Sequence, residues 1–294
     1  IRDQVHLKEP GLILVEKEGL EIALPDGIND IKPLLEEASD LNPSTTGTVS
    51  SDDVIVYIYT SGTTGLPKAC AVTQKRWLVL GNMSVIFAQM NPQTVQYMVL
   101  PLYHNSGFDI GYSSLVVSGS TMVLRRKFST RNFWDEVRRY NASMFIYVGE
   151  LCRYLYNQPE RPDDADNPMR LITGNGMRGE LMEPFRKRFG IEIINEIYGA
   201  TEGVGSFINM EGVPGMCGNL NMLGRRQGEV IKYDYETGDF AQGEDGFAIK
   251  CEAGETGLLI CEINSLNVFA GYVNNPQATE EKILHNVLQE GDCY

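Results

Sequence analysis

The most constraining feature of this sequence is the alternation, over residues 54–199, of short apolar runs with segments of helical character. The first apolar run, Val54–Tyr59, is rich in β-branched and aromatic residues and is long enough for a strand buried on both faces. Further strands are predicted at Ala69–Val72, Val95–Leu100, Thr121–Leu124, Ser143–Val148, Met169–Thr173 and Ile191–Ile197. Helices are predicted at Lys75–Met90, Ser106–Val117, Arg131–Tyr140, Glu150–Tyr156 and Glu180–Phe189. The alternation predicts an α/β fold, with βαβ units layered around a mostly parallel sheet.

Capping and stop residues indicate where three predicted helices begin or end, one of them a further helix near the end of the chain. Thr130 is suited to cap the start of the helix over residues 131–140, and Gly190 is suited to end the helix before it. Beyond residue 203, short strands are separated by turn clusters, and a last helix is predicted to begin after Asn275 with Pro276 at its first position. The short strands are predicted at Glu229–Tyr235, Phe247–Cys251 and Gly257–Ile263. We therefore predict an α/β subdomain over residues 1–203 and a smaller β-rich subdomain over residues 204–294.

The net charge of −14 makes a general affinity for nucleic acid improbable, because such binding depends on neutralising phosphates. The charge is uneven: residues 1–53 carry −8, residues 54–228 carry +4 and residues 229–294 carry −10. A mildly basic middle between acidic ends predicts that the middle segment binds an anion.

Cysteine and histidine usage argues against disulfide and zinc sites. The six cysteines are scattered without a C-x-x-C pair, and the three histidines are far apart, so we expect reduced thiols in a cytosolic chain. No apolar stretch reaches the roughly 18 residues of a membrane span. The chain starts without methionine or a signal peptide and stops at Gly291–Tyr294, so we expect both ends to lie inside a longer protein.

A nine-residue loop rich in glycine and hydroxyl groups follows the first predicted strand. Its glycines allow backbone N–H groups to approach a ligand, and its hydroxyls and lysine suit an anion with several oxygens, above all a polyphosphate. It is not a Walker A loop, since the glycine and lysine spacing differs. The alternative is a flexible polar hairpin, although a hairpin needs only one or two turn residues. The loop residues are Thr60, Ser61, Gly62, Thr63, Thr64, Gly65, Leu66, Pro67 and Lys68.

A second constellation, Tyr198-Gly199-Ala200-Thr201-Glu202, ends another predicted strand. The aromatic ring can stack on a purine, and the small residues allow close backbone approach. Thr201 can bond a phosphate oxygen, and Glu202 can ligate Mg²⁺. Because strand ends converge along one edge of an α/β sheet, we expect this segment to share a crevice with the first loop.

The segment Gly174-Asn175-Gly176-Met177-Arg178-Gly179 matches the dinucleotide fingerprint G-x-G-x-x-G, with Glu196 at the distance of a ribose-binding acid. Against a Rossmann interpretation, the following helix would have to accept Pro184 near its middle, and the nine-residue loop would have no role. NAD binding is kept as an alternative.

Three other features have plainer explanations. Thr237-Gly238-Asp239 lies in a turn-rich stretch and is interpreted as a hairpin turn. His104 has no acid–base partner nearby in sequence. The basic cluster is interpreted mainly as a solvated face, with contact to an anionic membrane surface as the alternative. The members of this cluster are Arg125, Arg126, Lys127, Arg131, Arg138 and Arg139.

Together, the segments Tyr59–Lys68 and Tyr198–Glu202 resemble the adenylate-forming superfamily of acyl-CoA synthetases, luciferases and peptide-synthetase adenylation domains. The similarity runs from about Val54 to the end of the chain. Further segments look like the branch of fatty-acid transport proteins and very-long-chain acyl-CoA synthetases. These segments are Phe133–Glu136, Gly149–Tyr154, Gly174–Gly179 and Gly291–Tyr294.

The resemblance implies a role for each matching residue. It implies that Lys68, Thr201 and Glu202 are catalytic, Thr201 through the α-phosphate and Glu202 through Mg²⁺. Tyr198 would stack on adenine. Residues implied to contact ATP or AMP are Thr60, Ser61, Gly62, Thr63, Thr64, Gly65, Lys68, Gly174, Asn175, Gly176, Tyr198, Gly199, Ala200 and Thr201. The acyl pocket would be bordered by His104, Tyr147, Val148 and Gly149.

The implied reaction is ATP-dependent activation of a long- or very-long-chain fatty acid to an acyl-adenylate, followed by transfer to coenzyme A. The implied partners are fatty acid, ATP, Mg²⁺ and coenzyme A, without nucleic acid, in the cytoplasm or peripherally at the cytoplasmic face of a membrane. Two sequence departures are Gly199, where the branch often has alanine, and Val204, in place of a common asparagine. The family's ribose-binding Thr-Gly-Asp and its C-terminal lysine-bearing domain have no counterpart here, so we expect a partial chain that does not turn over alone. A lipid-carrying module of the same fold without catalysis is the remaining alternative.

Overall fold

The structure is a computed structural model that describes residues 13–15, 28–60, 67–222, 224–264 and 269–294. Near the start, β1 (Ile13–Val15) pairs in parallel with β2 (Ile28–Asp30). Helix α1 (Ile31–Glu36) follows directly, and the Asp30 carboxylate caps it by accepting from the Lys32 N–H at 3.1 Å. A short 3₁₀ helix covers Ser44–Thr48.

The first predicted strand forms a hairpin outside the main sheet. Strand β3 (Val54–Thr60) pairs antiparallel with β4 (Lys68–Thr73), and Thr60 lies opposite Lys68. The prediction that this strand is buried on both faces is wrong: Val54 and Tyr57 are 41% and 40% exposed, because the sheet has only two strands. Helix α2 (Gln74–Phe87) begins directly after Thr73, whose hydroxyl caps it.

The predicted mostly parallel sheet is confirmed, with six strands. Five of them run parallel in the order β6-β5-β7-β8-β9, and β10 joins β9 antiparallel at the edge. The strands are β5 (Val95–Met98), β6 (Thr121–Leu124), β7 (Met144–Val148), β8 (Leu171–Asn175), β9 (Ile193–Gly199) and β10 (Ser206–Asn209). After β5, the chain first adds β6 on one side of it and then adds β7 on its other side. The order in which strands are added therefore reverses between β5 and β7. Ligand crevices of open α/β sheets lie at the carboxyl ends of strands at such a switch point.

Two of the helices between these strands differ from prediction, one in its type and one in its start. The helix predicted over Ser106–Val117 is a π-helix at Ser106–Tyr112 that continues as α3 (Ser113–Ser118). Helix α4 (Phe133–Arg139) begins after Asn132, without a side-chain cap, so the predicted Thr130 cap is wrong. The remaining helices of this region are α5 (Gly149–Tyr156) and α6 (Gly179–Phe189).

Helix α6 tests two expectations from the sequence, one about where it ends and one about the proline inside it. Gly190 ends it in a left-handed conformation at φ 66°, and its N–H donates to the Arg186 carbonyl, which confirms the predicted stop. The helix also contains Pro184. The objection that a helix here could not accept this proline is therefore wrong.

Aromatic side chains fill the core between the sheet and its helices. Phe133 makes edge contacts with Tyr97 and Phe145 at ring distances of 5.1 and 4.9 Å, and Trp134 stacks on Phe189 at 4.5 Å. All but Tyr97 and Trp134 are at most 1% exposed. This packing holds the carboxyl edge of the sheet on a rigid support.

Beyond β10 the chain forms small antiparallel pairs. The strands are β11 (Asn221–Met222), β12 (Arg225–Arg226), β13 (Glu229–Ile231), β14 (Tyr233–Asp234), β15 (Asp239–Phe240) and β16 (Leu258–Ile260). They pair as β11–β12, β13–β16 and β14–β15. The strand predicted at Glu229–Tyr235 is thus interrupted at Lys232, and the one predicted at Phe247–Cys251 consists only of isolated bridges at Ala248 and Lys250.

Two local predictions in this region are confirmed. Helix α7 (Pro276–Glu280) begins with proline, and the Asn275 side chain caps it by accepting from the Ala278 N–H at 3.0 Å. Thr237–Asp239 is part of the hairpin between β14 and β15, where Gly238 has φ 77° and donates its N–H to the Asp234 carbonyl.

The region after β16 also contacts the β3–β4 hairpin. Cys70 forms an isolated bridge with Tyr272, and the Val273 N–H donates to the Ala69 carbonyl at 2.9 Å. The division of the chain at residue 203 stays a prediction. All six cysteines are free thiols, and no helix in the described part of the chain is long and apolar enough to cross a membrane.

Candidate functional site

A cavity lies where the carboxyl ends of the parallel strands meet, at the switch point of the sheet. The segments after β5, β7, β8 and β9 all contribute to it or lie beside it. Its lining residues are Arg76, Leu80, Asn105, Ser106, Ile110, Ile146, Tyr147, Thr173, Gly174, Asn175, Ile197, Gly199, Ala200, Gly203 and Ser206. Gly199, which ends β9, and Ala200, which follows it, thus share a cavity with the segment after β5, whereas the expected sharing of a crevice with the nine-residue loop stays a prediction.

An apolar groove continues from this cavity between α2 and the β9–β10 edge. The two share five lining residues, namely Leu80, Ile110, Thr173, Ile197 and Ser206. The groove adds Met83, Ser84, Phe87, Phe207 and Ile208. A ligand with a polar head and an apolar tail would match the two parts.

Glycine allows the backbone of β7 and β8 to pack without side chains at this edge. A Cβ atom on Gly149 would collide with the carbonyl of Gly176, and one on Gly174 would collide with the carbonyl of Tyr147. This wall of the cavity therefore contains closely packed backbone at these two positions.

Glu196 supports that wall from inside the sheet. It is 5% exposed, and its Oε1 accepts from the N–H groups of Gly176 and Met177, the latter at 3.1 Å. Its Oε2 accepts from the Tyr147 hydroxyl. Burial raises the pKa of Glu196, and these hydrogen bonds oppose the rise. Because its oxygens already accept these bonds, Glu196 is not positioned to bind a ribose as the dinucleotide interpretation requires.

Arg76, near the start of α2, supports the segment after β9. Its Nη2 donates to the Thr201 carbonyl at 2.5 Å, and its guanidinium lies so close to Gly203 that a Cβ there would collide with it. Burial lowers the pKa of Arg76, and its neighbours Asp109, Cys70 and Glu202 oppose the change. The nearby carboxylates therefore help to stabilise the Arg76 charge.

Asp109, in the π-helix, is the buried member of this charged group. It is fully buried, its Oδ2 accepts from Asn105 at 3.0 Å, and burial raises its pKa to about 6 despite the nearby Arg76. Its Oδ1 and the Arg76 Nη1 are buried without a hydrogen-bond partner among the described residues. The Trp77 indole fixes the π-helix by donating to the Phe108 carbonyl at 3.1 Å.

Glu202 is held by a residue from the far part of the chain. Its Oε1 accepts from the Tyr272 hydroxyl at 2.7 Å, and the Lys68 ammonium lies 4.9 Å from the centre of the Tyr272 ring. Burial, and after it the Glu202 charge, raise the pKa of Cys70 to about 11. Glu202, Tyr272 and Lys68 thus form one cluster.

The predicted phosphate loop is only partly described. Ser61, Gly62, Thr63, Thr64 and Gly65 lie outside the described residues. Thr60 and Lys68 flank this segment at the end of the hairpin, and the Thr60 hydroxyl donates to the Lys68 carbonyl at 3.4 Å.

The other predicted residues occupy different parts of the sheet edge. Tyr198 is half exposed, with its ring 6.3 Å from that of Phe207, while Tyr147 is buried. Val148 and Gly149 follow Tyr147 at the end of β7. His104 is exposed, and its Nδ1 accepts from the Ser106 N–H, so its neighbours rather than its ring line the cavity. The roles assigned to these residues stay predictions.

Members of the basic cluster are engaged within the protein. Arg125 pairs with Glu136 at 2.8 Å, and Arg138 pairs with Asp163 at 3.3 Å. Contact of this cluster with a membrane stays a prediction.

Sequence reasoning missed Arg76, Asp109 and Tyr272, and it considered Glu196 only as a ribose ligand. One signal was available for Glu196, since a carboxylate inside a predicted buried strand must find hydrogen-bond partners there. No local signal marks Arg76 or Tyr272, because their contacts are made far away in sequence.

Comparison with known proteins identifies the family. Residues 8–237 match the family described as AMP-binding enzyme. The chain belongs to this family. The resemblance to the adenylate-forming superfamily, in its fatty-acid transport protein branch, is confirmed.

Similar curated proteins come from bacteria and mammals. The chain is 39% identical over 271 residues to the medium/long-chain-fatty-acid–CoA ligase FadD6 of Mycobacterium tuberculosis, covering 91% of this chain and 44% of the relative. It is 41% identical over 279 residues to long-chain fatty acid transport protein 1 of Homo sapiens, covering 93% and 43%. It is 38% identical over 296 residues to long-chain fatty acid transport protein 2 of Rattus norvegicus, covering 97% and 48%. The chain thus spans about half the length of these relatives.

Solved structures confirm the fold class. ATP-bound MatB from Rhodopseudomonas palustris matches with a TM-score of 0.62 at 20% identity, over 79% of this chain and 44% of that chain. The o-succinylbenzoate coenzyme A synthetase MenE from Bacillus subtilis, in complex with AMP, matches with a TM-score of 0.62 at 23% identity, over 91% and 54%.

Proposed function

We propose that the protein containing this chain is a fatty-acid–CoA ligase that consumes ATP. In the first step a carboxylate oxygen of the fatty acid attacks the α-phosphorus of ATP, the bond to the bridging oxygen breaks, and pyrophosphate leaves. In the second step the thiol of coenzyme A gives up its proton and attacks the acyl carbonyl, and AMP leaves. The named relatives support this reaction class.

The observation that carries the proposal is the junction of a cavity that contains several polar side chains with an apolar groove at the carboxyl edge of the sheet. Arg76, Asn105 and Ser106 provide donors in the cavity, whereas Met83, Phe87 and Ile208 line the groove. A nucleotide and a carboxylate suit the first, and an aliphatic chain suits the second. A long- or very-long-chain fatty acid is the proposed substrate.

The nucleotide would lie against the backbone of Gly174, Asn175 and Gly176, with its adenine stacked on Tyr198. Gly199 and Ala200 leave room for close approach. The segment from Thr60 to Lys68 would bind the phosphates through its hydroxyls, its N–H groups and the lysine charge, and Thr201 would bond the α-phosphate. These groups act mainly by positioning the reactants and balancing charge, as phosphoryl chemistry demands.

The donor set fits a magnesium ion that is bound largely through the nucleotide. Mg²⁺ prefers oxygen ligands and usually takes one or two carboxylates together with substrate phosphates. Glu202 supplies one carboxylate, whose Oε1 is held by Tyr272. No group of three His, Cys, Asp or Glu side chains suited to a metal occurs among the residues that the structure describes. When bound, the ion would neutralise phosphate charge, and the role of Tyr272 is to orient Glu202.

The acyl chain would enter the groove from the cavity. Tyr147 and Val148 end β7 and Gly149 begins α5, and we propose that these three residues border the reacting carboxylate. His104 would lie at the outer rim. Peripheral association with a membrane would deliver the fatty acid, as the names of the transport-protein relatives suggest.

The test is thioester formation by the full-length protein with saturated fatty acids of graded length, ATP, Mg²⁺ and coenzyme A. We expect acyl-CoA and AMP in equal amounts, with the highest kcat/KM for long chains. Fatty-acid binding that neither consumes ATP nor responds to it would contradict the proposal and favour a lipid-carrying module.

A further inference from the structure

We propose that Glu196 is a positioning residue for the nucleotide, because its buried carboxylate fixes the backbone that would face adenine. Through Tyr147 the same carboxylate also connects the nucleotide wall to the wall of the acyl site. This role rests on the proposed function and extends it to a residue that touches neither substrate.

The geometry places Glu196 behind the cavity wall. Its Oε1 accepts two consecutive backbone N–H groups, those of Gly176 and Met177, and Gly176 has φ 79°. Consecutive N–H groups in such a conformation form a concave site for an anion. Here the anion is a side chain of the protein itself. The loop from Gly174 to Met177 is therefore held from its inner side.

The opposite side of this loop remains available to a ligand. Gly174 and Asn175 line the cavity, and Asn175 and Gly176 are exposed. Gly149 packs directly against Gly176, so the loop has little room to retreat. Release of the two N–H groups would leave the loop conformation determined by packing alone.

Tyr147 extends the connection across the neighbouring strand. Its hydroxyl donates to the Glu196 Oε2 and also lies 3.2 Å from the Asn195 carbonyl. Because Tyr147 lines the cavity at the end of β7, a change at Glu196 is transmitted to both walls. The stronger effect is expected at the nucleotide wall, since two of the three donors come from it.

The charge of Glu196 is balanced by hydrogen bonds alone. Its donors are neutral, and no ion pair joins it to Lys, Arg or His within the described ranges. The titratable side chains facing it are Tyr147 and Cys152, and burial raises the pKa of both well above their ordinary values. Protonation of Glu196 at acidic pH would remove acceptor capacity from the loop, whereas these two neighbours stay neutral there.

The experiment compares Glu196→Ala, Glu196→Gln and Tyr147→Phe in the full-length protein, with Glu192→Gln as the matched control. Glu192 precedes the same strand and its side chain is 66% exposed. The readouts are the KM for ATP, the KM for fatty acid and kcat in ATP–pyrophosphate exchange, together with equilibrium binding of ATP. We expect Glu196→Ala to raise the KM for ATP about tenfold, since two backbone donors lose their acceptor, and to raise the KM for fatty acid less.

Glu196→Gln keeps the shape of the side chain and covers the case in which the alanine variant does not fold. We expect it to raise the KM for ATP about threefold. We also expect the KM of the wild-type protein for ATP to rise toward acidic pH, and this rise to be smaller in Glu196→Gln. Tyr147→Phe should change both KM values by about threefold, and Glu192→Gln should change neither.

Two results would overturn the inference: equal changes in both KM values for the Glu196 variants, or an acid dependence of the KM for ATP that is as large in Glu196→Gln as in the wild type. Failure of the proposed function is separate, because it appears as a wild-type protein without fatty-acid-dependent exchange. In that case equilibrium ATP binding still decides the role of Glu196, and unchanged binding in both Glu196 variants would refute it.

Discussion

Glu196 lies buried behind the cavity wall and Arg76 lies partly buried in the cavity lining, and the charges of these two side chains are balanced in different ways. Glu196 accepts from three neutral donors, two after the end of β8 and one, the Tyr147 hydroxyl, in β7. Arg76 holds the segment after β9 through one backbone carbonyl, within the field of Asp109 and Glu202. The contacts of Glu196 thus depend on hydrogen-bond geometry, whereas those of Arg76 depend on nearby charges.

This difference predicts how substitution of Glu196 and of Arg76 affects the stability of the protein. An uncharged side chain of the same shape can replace much of Glu196, because its partners need only an acceptor. Arg76 has no such substitute, since its removal leaves Asp109 as a buried negative charge without compensation. Replacement of Arg76 should therefore have the larger effect on stability.

Arg76→Met should lower the free energy of unfolding by about 3 kcal/mol, as breaking a buried charge network does. The matched control is Lys75→Met, one residue earlier on α2 and exposed, for which we expect a change below about 0.5 kcal/mol. Urea denaturation of the purified protein measures both. A loss no larger than that of the control would show that Arg76 is not energetically coupled to the site.

Asp109→Asn tests the interaction between Arg76 and Asp109 by changing the acidic partner. Its effect on the free energy of unfolding should depend on pH. The pKa of Asp109 rises to about 6 in the folded protein from an ordinary value of 3.8. The folded state therefore binds this proton more tightly than the unfolded state, and ionised Asp109 destabilises the fold at neutral pH. Asp109→Asn should raise stability at pH 7 by on the order of 1–3 kcal/mol, and this gain should disappear as the pH falls from about 6 to about 4.

The same substitution should stabilise more strongly in the Arg76→Met background, because the Asp109 charge then lacks its cation. A double-mutant cycle should give a coupling of about 1 kcal/mol or more. Strict additivity, or a stabilisation by Asp109→Asn that does not change with pH, would contradict the account.

Tyr272→Phe addresses the smallest contribution, the orientation of Glu202. Loss of one hydroxyl donor to a carboxylate should raise the KM for Mg·ATP about fivefold and leave the KM for fatty acid nearly unchanged. The control is Tyr235→Phe, because Tyr235 is 69% exposed. An unchanged KM for Mg·ATP in Tyr272→Phe would mean that Glu202 needs no such support.

The sequence predicts most strands of the sheet but not the residues that hold the site in place, because only the strands are specified by local composition. Strands such as β6 and β7 are short apolar runs between turn residues, so local composition specifies them. The bridges at Ala248 and Lys250 depend on partners elsewhere in the chain, and their local sequence resembles a strand without forming one.

The site shows the same distinction between local and distant information. The residues expected to touch ligand lie in glycine-rich segments at strand ends, where the reason for glycine is local. Arg76 meets Thr201 across 125 positions, and Tyr272 meets Glu202 across 70. Only the tertiary fold brings these pairs together, so no motif reveals them.

The most direct test of the central claim is fatty-acid-dependent exchange of pyrophosphate into ATP by the full-length protein, wild type against Glu202→Gln. Glu211→Gln serves as an exposed control. We predict that exchange in the wild type requires both fatty acid and Mg²⁺, that it falls at least about a hundredfold in Glu202→Gln, and that it persists in the control. Exchange at the wild-type rate in Glu202→Gln, or no exchange by the wild type with any fatty acid, would contradict the account.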